Sequence, residues 1–94
     1  MTDRMDQSLL YIITEGENGP VKIGIAKRPG FRMKELQTGN ARQLDLYWCR
    51  PFENTTFARI AEQRVHRDLQ KHRMVGEWFA LGPVRAAALV EAAL

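Results

Sequence analysis

The chain has a single cysteine, Cys49, in 94 residues. That excludes an internal disulfide, and with it the class of small secreted folds stapled by several bridges. A lone thiol fits a reducing compartment. No apolar run approaches the ~20 residues needed to span a bilayer. The first residues, MTDRMDQ, lack an apolar signal core, so a cytoplasmic location and no membrane partner are expected. Two histidines and one cysteine do not make a structural zinc set. There is no Gly-rich nucleotide loop, internal repeat or low-complexity tract. What remains is one small domain, 45% hydrophobic, expected over residues 8–94 behind a frayed tail of residues 1–7.

The net charge of +3 is unevenly placed. Residues 1–20 carry Asp3, Asp6, Glu15 and Glu17 against Arg4 alone. Residues 21–42 carry Lys22, Lys27, Arg28, Arg32, Lys34 and Arg42 against Glu35 alone. A local positive field of this kind favours a polyanion, although a solvated basic surface gives the same composition.

Those cations lie on a stretch with strand periodicity. Leu10 and Ile12 point one way, Tyr11 and Ile13 the other. Val21, Ile23 and Ile25 alternate with Lys22, Gly24 and Ala26. The intervening EGENGP is turn chemistry. Pairing the apolar sides leaves Tyr11, Lys22 and Gly24 together on the opposite face. Lys, Gly and Ala make a poor core face, and a glycine inside a strand often marks a close approach. A third strand is predicted over residues 44–50, with Leu44, Leu46 and Trp48 on one side. Trp48 reads as a residue covering the sheet before it reads as a stacking platform.

Helices are predicted over residues 29–38, 55–71 and 83–93. Pro29 and Pro83 suit first turns, Gly39-Asn40 suits a stop, and Glu53 to Thr56 offers N-caps. The middle helix has an apolar stripe of Phe57, Ile60, Ala61, Val65 and Leu69. Glu62 lies on its border, where a half-buried carboxylate needs a partner or a metal. A salt bridge to Arg59 or Arg32 would satisfy it equally well. His66, one turn on, reads by itself as a surface or cap residue. In GEWF, Trp78 and Phe79 read as core anchors, and Glu77 reads as part of the turn before it reads as a second acidic site residue. The last helix packs on the domain or forms a dimer contact, so monomer and homodimer both stay open. The fold class is therefore α+β: a small three-stranded antiparallel sheet flanked by helices.

Taken in order, these residues resemble the GIY-YIG nuclease superfamily. Leu9-Leu10-Tyr11 stands for its first motif, Lys22-Ile23-Gly24 for its second, and Arg32 for the arginine on the next helix. The string KIGIAKRPGFRMKELQTGN with the later GEWF is similar to a compact subgroup from phage open reading frames and meiotically up-regulated fungal proteins. The likeness covers residues 8 to 82. Two departures stand out: Leu9-Leu10 replaces Gly-Ile, and Lys22 replaces the second-motif tyrosine.

The resemblance implies a divalent-metal-dependent endonuclease acting on DNA, with RNA not excluded. It implies one Mg²⁺ or Mn²⁺ held by Glu62, and Tyr11, Lys22, Arg32, Glu62 and His66 as catalytic residues. Arg32 would bind phosphate oxygens, where a guanidinium fork fits. Tyr11 would orient or deprotonate water, with Lys22 lowering its pKa. Lys22, Lys27, Arg28, Arg32, Lys34 and Arg42 would bind nucleic acid; with no separate DNA-reading module visible in one small domain, either weak specificity or a partner that supplies it is expected. The alternative is a catalytically weak or inactive nucleic-acid-binding domain of the same fold, with Arg32 and Lys22 as phosphate contacts only.

Overall fold

A computed structural model describes residues 7–94; residues 1–6, most of the expected tail, lie outside it. The elements run β1 (Ser8–Thr14), β2 (Val21–Ala26), α1 (Pro29–Thr38), β3 (Asp45–Phe52), α2 (Thr55–Asp68), a single 3-10 turn (Gln70–His72), β4 (Trp78–Phe79) and α3 (Pro83–Ala93). The sheet has four antiparallel strands in the order β3-β1-β2-β4. Among the described residues, no helix is long and apolar enough to cross a membrane.

Three sequence expectations are corrected here. The sheet has a fourth strand, because Trp78 and Phe79 pair with Lys22 and Val21 as well as anchoring the core. Two residues are too short for periodicity to register. Strand β3 continues through Pro51 to Phe52, with Pro51 opposite Leu9. It is an edge strand, so the missing proline N–H removes no ladder bond from a second neighbour. The alternation within β3 also breaks. Ile12 faces Trp48 while Ile13 faces Leu46, leaving Tyr47 as the extra residue of a bulge. Trp48 therefore packs on the opposite core cluster from Leu44, and its indole N–H donates to Glu91 at 3.1 Å.

Strand β1 is buried on both faces, which puts core on each side of the sheet. Leu10, Ile12, Val21 and Ile23 pack with Val65 and Leu69 of α2, Phe79, and Ala86 and Val90 of α3. Tyr11, Ile13 and Leu44 form a smaller cluster on the other face, closed by Met33 and Leu36 of α1 and by Trp78. The face read as poor core is thus half core: Tyr11 is 1% exposed and Lys22 7%.

Helix α2 starts where Asn54 accepts the Phe57 N–H at 2.9 Å, a cap contributing about 1 kcal/mol. Its buried stripe is Ala58, Ala61, Val65 and Leu69, while Phe57 and Ile60 are half-exposed. Small residues let the helix lie close to the sheet, and the two larger ones are left at its flank. That close approach carries Glu62 and His66 to the edge of β2.

Candidate active site

The site forms where the sheet ends early. Strand β4 pairs only with Val21 and Lys22, so the edge of β2 is open from Ile23 onward. Ile23 is used twice there. Its N–H donates to the Glu77 carbonyl at 3.0 Å, and its carbonyl accepts from His66 Nε2 at 2.8 Å. One strand residue thereby fixes a loop acid and a helix imidazole. Facing a carbonyl oxygen, His66 Nε2 carries a proton. Edge-to-face packing on Phe79, at 5.0 Å between ring centroids, holds the imidazole from the core side.

Gly24 is the floor. It stands directly across the ladder from Tyr11, and the Tyr11 phenol lies over it. A Cβ at Gly24 would stand 2.7 Å from the Tyr11 hydroxyl oxygen and 3.1 Å from Glu77 Oε2. The bare position is required by these two groups before any ligand is considered. Lys22, on the same face, donates to Glu77 Oε1 at 3.0 Å, with its side chain 8% exposed against 36% for Glu77.

Glu62 arrives from α2. One ligand atom each from Glu62, His66 and Glu77 lies within 4.8 Å of the other two. Burial, then the hydrogen bond to Glu77 and its charge, push the Glu62 carboxyl up to about 7. For Glu77, burial also opposes ionisation, but the hydrogen bonds to Glu62 and Lys22 and the charges of Lys22 and His66 outweigh it. Its carboxyl is held below the usual range. The pair thus holds one proton near neutrality, centred on Glu62.

Arg32 comes from the first turn of α1. Its guanidinium stands beside the Tyr11 hydroxyl, lies 3.8 Å from Glu35, and keeps 43% of its side chain exposed. Burial and the Glu77 charge nevertheless push the Tyr11 phenol up to about 12, against the pull of Arg32.

The five expected residues Tyr11, Lys22, Arg32, Glu62 and His66 therefore meet around one point, and Glu62 turns toward Tyr11 although α2 packs on the far face. Two expected interactions differ. Lys22 does not lower the Tyr11 phenol, because its charge is taken up by Glu77. Glu62 is not in a salt bridge with Arg59 or Arg32; its carboxyl meets Glu77 instead. Glu77 is the residue that sequence reasoning ranked too low, as a possible second acid outside the expected set. Its signal was indirect: a lysine on a strand face beside core residues demands a carboxylate. Lys27, Arg28, Lys34 and Arg42 are all exposed. Arg42 belongs to the loop after α1, where its backbone is bound by Gln37 and Asn40.

The family model of the T5orf172 domain matches residues 8–93 of the chain. No curated protein and no solved structure matches it.

Proposed function

From the chain's membership of the T5orf172 domain family, which is associated with nuclease-like domains, we propose that it is a GIY-YIG-type endonuclease that hydrolyses DNA phosphodiesters with a divalent cation. The observation that carries this reading is the convergence of Arg32, Glu62, His66 and Glu77 around the Tyr11–Gly24 pair at the open edge of β2.

The donor set fits a cation. Two carboxylates and an imidazole from two separate segments offer ligand atoms within 4.8 Å of one another. The His66 N–H already rests on a backbone carbonyl, the usual second partner of a metal-binding histidine. Glu62, His66 and Glu77 would hold the ion, extending the single ligand expected from sequence. Carboxylates suit Mg²⁺ and Mn²⁺, and the imidazole favours Mn²⁺ of the two. A bound ion would draw charge from the phosphate and ease departure of the leaving oxygen.

The protein's own groups divide the remaining work. Arg32, half-exposed, binds the non-bridging oxygens. Tyr11 is nearly sealed from solvent and keeps its proton, so it acts as a positioning residue for the Arg32 guanidinium beside it. Lys22 positions Glu77 in the same way. With Glu62, His66 and Glu77 on the ion, a carboxylate oxygen of the Glu62–Glu77 pair left free by the ion is the group placed to take a proton from water.

The test is cleavage of supercoiled plasmid and of single-stranded DNA with Mg²⁺ or Mn²⁺. Cutting that stops with chelator and in Glu62→Ala and Glu77→Ala supports the reading. Protein that binds DNA in the presence of either ion and never cuts any form identifies the binding-only alternative instead.

A further inference from the structure

Folding does not explain Phe31. Helix α1 uses Met33 and Leu36 against the sheet, while Phe31 is 59% exposed. Two cations attend its ring instead: the Arg28 guanidinium carbon at 5.6 Å and Lys34 Nζ at 5.8 Å from the centroid. Among the described residues, neither cation has a carboxylate within ion-pair distance. Beside the ring, a Cβ on Gly30 would meet nothing within 4 Å. Arg28, Pro29, Gly30, Phe31 and Lys34 enclose a shallow depression of about 340 Å³.

Resting on the nucleic-acid reading above, we propose that Phe31 is a stacking platform for an unpaired base of the DNA strand whose phosphate is held by Arg32. The chemistry is complementary on both counts. A flat apolar ring offers a face to a nucleobase once the two cations that lie over it swing onto the flanking phosphates. An acidic peptide would use the cations and leave the ring idle. A duplex keeps its base faces stacked and cannot use the ring either. Phe31 and Arg32 share the first turn of α1 but point about 100° apart around it, so the stacked base belongs to the same strand as the phosphate on Arg32, a short way from the cut. The substrate class that follows is DNA with an unpaired nucleotide near the cut: a single strand, a gap or a flap.

Fluorescence anisotropy on the whole chain, with chelator present to prevent cutting, tests this. The probes are a labelled single strand, the same strand with abasic sites, and the matching duplex. Phe31→Ala is expected to weaken single-strand binding by about 5- to 150-fold, the range of one lost base–aromatic stack. Phe31→Trp should restore it, and duplex affinity should not change. The abasic strand should bind the unaltered protein as weakly as the intact strand binds Phe31→Ala. Lys34→Ala should reduce the salt slope and Phe31→Ala should not. Unchanged single-strand affinity in Phe31→Ala, or equal loss on single strand and duplex, overturns the stacking site. An unaltered protein that binds no DNA form overturns the functional reading and the stacking site together. Binding to single strands through Phe31 without any cutting overturns only the hydrolysis and leaves the stacking site standing.

Discussion

Gly24 and Tyr11 face each other across the β1–β2 ladder, and a Cβ on Gly24 would sit 2.7 Å from the Tyr11 hydroxyl oxygen and 2.9 Å from its Cζ. Tyr11 is 1% exposed, so its ring has no room to move aside. Gly24→Ala is therefore expected to push the phenol and the Glu77 carboxylate apart. Overpacking of this kind costs about 1–3 kcal/mol. Denaturant unfolding should show that loss, and cleavage should fall further than stability alone explains. A variant with unchanged midpoint and activity would mean that the site tolerates a filled floor.

Arg32 and Tyr11 should separate by kind of effect. Arg32→Ala removes a preorganised cation and is expected to lower kcat about 100- to 1000-fold, with no change in melting temperature because the side chain is half-exposed. Arg32→Lys should not restore it, since a point charge does not replace a planar fork. Tyr11→Phe only loosens Arg32, so it should lower the rate with the pH–rate profile unchanged in shape. Loss of one limb of that profile in Tyr11→Phe would instead make the phenol the proton acceptor.

The Lys22–Glu77 pair gives a third expectation. Lys22→Met leaves a half-buried carboxylate without its cation, at about 1–3 kcal/mol of stability once the partial exposure of Glu77 is allowed for. Lys22→Met with Glu77→Gln should cost less than the sum of the two single changes. Lys22→Tyr, which installs the tyrosine of the GIY-YIG second motif that Lys22-Ile23-Gly24 resembles, should lower activity while the chain still folds, because tyrosine offers Glu77 no charge. Equal or higher activity in Lys22→Tyr would show that the lysine only fills space.

Glu62 makes stability depend on pH in a definite direction. Its folded carboxyl titrates near 7, against an ordinary value of 4.5. The folded state therefore keeps a proton that the unfolded chain has released. Without cation, this contribution is full below 4.5 and is lost as pH rises toward 7. Glu77, held low, acts oppositely, and its contribution is lost as pH falls below its ordinary range. Thermal melts without metal should show lower stability at pH 8 than at pH 5.5, flattened in Glu62→Gln. Because ligands bind metal deprotonated, Mn²⁺ should raise the melting temperature more at pH 8 than at pH 5.5. An ion-induced shift that is the same at both pH values would remove the carboxylate pair from the site.

The secondary structure was largely legible because its signals are local. Period two in residues 8–14 and 21–26, proline at two helix starts and Asn54 ahead of α2 need no distant partner to be read. The same holds for the order of Tyr11, Lys22, Gly24 and Arg32, which one hairpin and one helix start carry. Only the tertiary structure decided the rest. A two-residue strand has no period, so β4 and the early end of the sheet were invisible. The bulge at Tyr47 depends on register against β1. Glu77 looked like a turn residue because its meaning lies in Lys22, 55 positions away in sequence. The protonation of Tyr11 and Glu62 was equally out of reach, since burial and neighbouring charge set it, and both exist only after α2 has closed on the edge of β2.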